Sequence, residues 1–86
     1  MRLSSTSYFD KKLKKRISKN PQLKKKVSKQ LAIAIQNPTH PSLKTHKLEG
    51  KRAEEFAMWI EGNLRITFQI INDTILLTDV ITYDEY

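Results

Sequence analysis

The side chains equipped for chemistry are few, and most of them lie between residues 44 and 86. Arg65 stands in the run Leu64-Arg65-Ile66-Thr67-Phe68, where the apolar residues share one face and Arg65 takes the other. A guanidinium presents a planar fork that matches phosphate oxygens. The same residue could instead bridge a surface carboxylate such as Asp79. His46 carries an imidazole, which in ordinary surroundings titrates near pH ~6.5 and suits general acid or base work. It could equally be a loop histidine that faces solvent. Tyr83 and Tyr86 offer phenols with a pKa of about 10, able to orient or protonate an oxyanion or to stack on a base, but poor as neutral-pH bases. For each, structural packing stands level with function, and Tyr83 is the favoured functional candidate.

Around them, Lys44, Lys47, Lys51 and Arg52 flank His46 and Gly50. They could hold a polyanion, and a lysine whose pKa is lowered by neighbouring cations could serve as base. The alternative is a solvated basic loop. Trp59 could stack on a nucleobase or pack in a core. Nothing resembles a metal centre. There is no cysteine, and His40 and His46 sit six apart in a loop. No cofactor is expected.

The charge balance narrows the partners. The 86 residues carry a net charge of +7, unevenly spread. Residues 11–48 hold 12 basic side chains and no acid, whereas residues 49–86 hold three basic and eight acidic ones. Such a split points to a polyanion or an acidic protein meeting one face. The lysine-rich stretch has no interleaved aromatics, so it is suited to sequence-blind phosphate contact and not to reading bases. No apolar run approaches the roughly 18 residues of a membrane span, and Met1 to Asp10 lacks a signal-peptide core. A single soluble cytoplasmic domain over residues 1–86, with no membrane partner, is expected.

The elements that must position these residues follow from hydrophobic spacing. Arg2 to Ser5 is a candidate edge strand. Ser7-Tyr8-Phe9-Asp10 reads as a capping box with Ser7 at the N-cap. Phe9, Leu13 and Ile17 then recur every four residues on one helical face, with lysines and an arginine around the rest. Asn20-Pro21 ends that helix and starts the next, Asn20 as N-cap and Pro21 in the first turn. Leu23, Val27, Leu31 and Ala34 repeat the stripe. Residues 37–42 are loop by composition. From Glu54 the period falls to two. Phe56, Met58 and Ile60 alternate with Ala57 and Trp59, and Gly62-Asn63 supplies the positive φ angles of a tight hairpin. Leu64, Ile66, Phe68 and Ile70 then share one face of the next strand. Asn72-Asp73-Thr74 turns the chain into a third strand, Ile75 to Thr82. The order implies an α+β domain: a short N-terminal strand, a two-helix hairpin and a three-stranded antiparallel meander, with the helices packed on one sheet face.

Three segments in this order carry a family likeness. His46-Lys47-Leu48-Glu49-Gly50, Trp59 to Phe68, and Thr82-Tyr83-Asp84-Glu85-Tyr86 resemble the RelE/ParE superfamily of toxin–antitoxin toxins. Within it they look most like the ribosome-dependent mRNA endonucleases of RelE, HigB, YoeB and YafQ type. The likeness covers nearly the whole chain. It implies a toxin that enters the ribosomal A site and cuts mRNA by attack of a 2′-hydroxyl on the adjacent phosphate. It also implies a cognate antitoxin that wraps the toxin, and contact with operator DNA only through that complex. By the same resemblance Arg65 matches the family arginine, and His46 a histidine found before the Leu-x-Gly. Tyr83 stands where many members have histidine, and Trp59 where the HigB-like pattern has a second arginine. Catalytic roles then fall to His46, Arg65 and Tyr83. RNA contacts fall to Lys44, Lys47, Lys51, Arg52, Trp59 and Tyr86, and ribosomal RNA contact to the helical lysines. Two other functions fit the same fold: a ParE-like inhibitor of DNA gyrase, and a non-catalytic toxin that only binds antitoxin.

Overall fold

A computed structural model describes residues 1–82. In chain order it contains β1 (Arg2–Ser5), α1 (Ser7–Lys19), α2 (Leu23–Gln36), a 3-10 turn over Pro41–Leu43, β2 (His46–Lys47), a second 3-10 turn over Gly50–Arg52, β3 (Phe56–Glu61), β4 (Leu64–Ile71) and β5 (Thr74–Thr82). The strands form one mixed sheet in the order β1-β5-β4-β3-β2. The expected α+β plan is present, with the helices on one face. Two features are additions to it. β1 pairs parallel with β5, from Arg2 opposite Thr74 to Ser5 opposite Leu77. β2 adds two residues to the other edge, His46 opposite Ala57 and Lys47 opposite Phe56.

The helix boundaries differ from the expected caps. Thr6, not Ser7, is the N-cap of α1: its backbone is extended and its hydroxyl accepts from the Phe9 N–H at 3.1 Å. The Asp10 carboxylate accepts from the Ser5 hydroxyl at 2.6 Å. Asn20 is committed to closing α1, its N–H donating to the Arg16 and Ile17 carbonyls. Pro21 and Gln22 therefore form a turn, and α2 begins at Leu23, whose N–H bonds the Asn20 carbonyl at 3.0 Å. The connection still serves the expected hairpin, because both apolar stripes reach the sheet. Phe9 from α1 and Leu23, Val27 and Ala34 from α2 are buried in one cluster with Met58, Ile60, Leu64, Ile66, Phe68, Ile75, Leu77 and Val80. Phe56 and Phe68, paired across β3 and β4, stack with centroids 5.6 Å apart. Burying a large apolar side chain completely contributes roughly 1.5–3 kcal/mol.

Strand alternation decides what the opposite face shows. Met58, Ile66 and Val80 lie in one cross-strand row toward the helices. The flanking rows, Ala57-Thr67-Asp79 and Trp59-Arg65-Ile81, belong to the other side. Two register shifts, between Trp59 and Glu61 and between Thr67 and Phe68, re-aim side chains along these rows. Ile70 departs from its expected core position and is 41% exposed, because β3 pairs with β4 only as far as Phe68 and leaves that end uncovered. At the β3–β4 turn Gly62 alone has a positive φ, +52°, and Asn63 does not. In the next turn Asn72 takes the left-handed conformation, at 55°. Among the described residues no helix is long and apolar enough to cross a membrane.

Candidate functional site

The face away from the helices gathers the chemistry-bearing residues. Trp59 and Arg65 are paired neighbours on β3 and β4. The hairpin brings both back onto one acceptor, the Gly62 carbonyl, which receives the Trp59 indole N–H at 2.9 Å and Arg65 Nη1 at 3.1 Å. Arg65 Nη1 also donates to the Leu64 carbonyl at 3.2 Å. Lys44 ends the first 3-10 turn in a left-handed conformation, φ 48°. Its ammonium lies 4.9 Å from the centroid of the Trp59 ring, within cation–π range. Lys44, Trp59 and Arg65 are thus assembled around one turn.

His46 opens β2 and pairs with Ala57, so it stands at the edge of the row that contains Thr67 and Asp79. Its ring nitrogen Nδ1 lies 3.3 Å from the Lys44 carbonyl. β2 and β4 flank β3, so His46 and Arg65 are two strand spacings, roughly 10 Å, apart across the sheet. An open cleft of about 390 Å³ is lined by His46, Lys47, Leu48, Glu49 and Arg52. Lys47 and Lys51 are exposed. Tyr83 and Tyr86 lie outside the described residues. Thr82, the last described residue, pairs with Leu64 beside Arg65.

Arg52 has a different setting from its lysine neighbours. Nε and Nη2 reach the two carboxylate oxygens of Glu55 at 3.2 and 3.5 Å, and Nη2 donates to the Thr67 hydroxyl at 3.1 Å. Asp79 Oδ2 lies 3.7 Å away. Thr67 and Thr78 hydroxyls bond each other at 2.8 Å, and Thr78 donates to Glu55. Asp79, the carboxylate expected as a possible mate for Arg65, is engaged by Lys12 of α1 at 2.8 Å and by the N–H of Val80. Burial alone would raise the pKa of Glu55. The bonds from Thr78 and Arg52, with the charge of Arg52, outweigh that and hold it below the ordinary carboxylate value.

Sequence reasoning missed two supports of this face. The first is the Arg52-Glu55-Thr67-Thr78 network, which joins residues with no shared periodicity. The second is Gln30, buried at 4% exposure, whose amide donates to the Trp59 carbonyl at 2.8 Å and the Ser42 carbonyl at 3.3 Å. Gln30 falls seven after Leu23 and four before Ala34, on the apolar stripe, and that position was its readable signal. Among the described residues no cluster of three or more His, Asp or Glu is placed to hold a metal.

No protein-family model and no curated protein matches the sequence. Solved structures do. YafQ from E. coli strain BL21(DE3) superposes with a TM-score of 0.80 at 16% identity, over 99% of this chain and 97% of that one. A YoeB/ParE toxin from Agrobacterium tumefaciens gives 0.81 at 14% identity, over 95% and 98%. A chain of the heterotetrameric YoeB–YefM toxin–antitoxin complex from Staphylococcus aureus gives 0.77 at 14% identity, over 92% of each. Over almost its whole length, this chain has the α+β fold shared by YafQ and YoeB.

Proposed function

We propose that this chain is the toxin of a type II toxin–antitoxin pair and acts as a ribosome-dependent mRNA endoribonuclease. The observation that carries the reading is the joint placement of Arg65 and His46 on the open sheet face of a YafQ- and YoeB-like fold. In the proposed reaction a base removes the 2′-hydroxyl proton, and the 2′-oxygen forms a bond to the adjacent phosphorus. The bond to the 5′-oxygen breaks, and that oxygen is protonated as it leaves. Products are a 2′,3′-cyclic phosphate, or the 3′-phosphate from its hydrolysis, and a 5′-hydroxyl. Arg65 is assigned to the charge growing on the phosphate, where a preorganised donor typically supplies ~2.7–4 kcal/mol. His46 and Tyr83 are assigned to the proton transfers. The two strand spacings between His46 and Arg65, spanned by β3 alone, leave room for a ribose and its phosphate over the sheet face.

Lys44 and Lys47 border the Trp59 ring and the cleft, where they would hold the mRNA backbone. The lysines of α1 and α2 would meet ribosomal RNA. A cognate antitoxin is the proposed protein partner, supported by the likeness to a chain of the YoeB–YefM complex. Primer extension on mRNA in a purified translation system tests the reading. Cuts in the A-site codon that disappear in Arg65→Ala are expected, and intact mRNA on intact ribosomes overturns it. The gyrase alternative, which the YoeB/ParE likeness keeps in view, requires instead that the protein block DNA supercoiling by purified gyrase.

A further inference from the structure

The segment from His46 to Glu55 is short of regular structure, yet it carries one wall of the cleft. Its backbone closes on itself through Leu48 N–H to the Glu55 carbonyl at 2.9 Å and Glu55 N–H to the Arg52 carbonyl at 2.9 Å. Its attachment to the sheet beyond β2 comes through side chains. Leu48 is buried, at 6% exposure, outside the main core cluster. Arg52 spends its fork on Glu55 and on Thr67 of β4, and faces Asp79 of β5. Asp79 is held from the other side by Lys12. Nε and Nη2 of Arg52 are already given to Glu55, whose carboxylate is also bonded by Thr78. Arg52 therefore differs from Lys47 and Lys51, which are exposed on the same segment.

We propose that Arg52 is a positioning residue: held by Glu55, Thr67 and Asp79, it fixes the 46–55 segment on the sheet and so sets where His46 and Lys47 stand relative to Arg65. The proposal rests on the nuclease reading for its catalytic consequence, and on the geometry alone for its mechanical one. Lysine cannot fully replace Arg52, because one ammonium cannot reproduce the two-nitrogen contact that Nε and Nη2 make with the two oxygens of Glu55. Glutamine can replace Glu55 only in part: its amide oxygen still accepts from Thr78 and Arg52 Nη2, but its NH2 then faces the Arg52 Nε–H, donor against donor.

The test uses the full chain with Arg52→Ala, Arg52→Lys, Glu55→Gln and Lys47→Ala. Amide hydrogen exchange is read over residues 46–55 and over β4. Single-turnover cleavage on programmed ribosomes is read at saturation, alongside ribosome affinity. Arg52→Ala and Arg52→Lys are expected to speed exchange in 46–55 selectively and to lower the saturated rate by about 10-fold or more. Affinity should stay within about twofold, whereas Lys47→Ala should mainly weaken affinity. Glu55→Gln, which keeps one of the two Glu55 acceptors for Arg52, should fall between the wild type and Arg52→Ala in both exchange and rate. Weakened affinity with an unchanged saturated rate in Arg52→Ala would make Arg52 an RNA contact and overturn the proposal. So would unchanged exchange in 46–55. If Arg52→Ala unfolds, Arg52→Lys and Glu55→Gln decide by the same criteria. If the wild-type protein does not cleave on ribosomes, the nuclease reading falls and the exchange data alone decide the positioning.

Discussion

Replacing Gln30 by leucine isolates a polar support of the site that lies under the sheet. The side chains have similar volume, so no sizeable cavity opens, and the change is confined to the amide. Its Nε2 donates to the Trp59 carbonyl at 2.8 Å and to the Ser42 carbonyl at 3.3 Å. The first acceptor lies at the register shift of β3, and the second in the 3-10 turn that leads to Lys44. Both acceptors are part-buried, so leaving them without a donor costs in the lower part of the usual range, about 1–2 kcal/mol. For a small domain each kcal/mol moves the melting temperature by roughly 4–8 °C. Gln30→Leu should therefore melt about 4–16 °C below the wild type, by calorimetry or circular dichroism. Gln30→Glu should be worse, because a carboxylate would face two carbonyl oxygens and offer neither a proton. A Gln30→Leu protein as stable as the wild type would refute the reasoning, since it would mean that both carbonyls find other donors at no cost.

Other consequences are equally specific. Thr6→Ala should cost about 1 kcal/mol through loss of the α1 cap while Ser7→Ala is nearly neutral, as read from urea midpoints. Glu55 titrates below its ordinary value of 4.5 in the folded chain, so its network adds stability that is complete above that pH and is lost as the pH falls through the depressed folded pKa. The urea midpoint of wild type should drop further between pH 7 and pH ~3.5 than that of Glu55→Gln, which has no proton to take up there. Reversing charge on α1 with Lys15→Glu and Lys19→Glu should weaken ribosome binding. It should also flatten the salt dependence of that binding, the log–log slope falling by about one unit for each phosphate that is no longer neutralised.

What the sequence disclosed and what it hid divide along physical lines. The stripes Phe9-Leu13-Ile17 and Leu23-Val27-Ala34, and the alternation in β3 and β4, were legible because periodic burial leaves a periodic pattern. Caps were missed by one or two residues, since Thr6 and Ser7 have nearly the same capping chemistry and only backbone geometry distinguishes them. β2 was invisible because two residues cannot show alternation, and it exists only through pairing with β3. The parallel partner of β1 is likewise a choice of tertiary structure. Arg65 was correctly placed on the face opposite Leu64 and Ile66. The partner suggested for it, Asp79, lies in the next row and is taken by Lys12. Arg52 looked like one more loop cation, and only the fold shows its fork turned inward to Glu55 and Thr67.

A phosphodiester cut by its own 2′-hydroxyl leaves characteristic ends, and those ends report on the proposed chemistry most directly. Messenger RNA on programmed ribosomes, treated with the purified protein, can be mapped and its ends analysed by mass spectrometry. Cuts within the A-site codon should carry a 2′,3′-cyclic phosphate or 3′-phosphate upstream and a 5′-hydroxyl downstream, with at least about 100-fold less product from Arg65→Ala. Fragments ending in a 3′-hydroxyl and a 5′-phosphate, or Arg65→Ala cleaving as fast as the wild type, would contradict it.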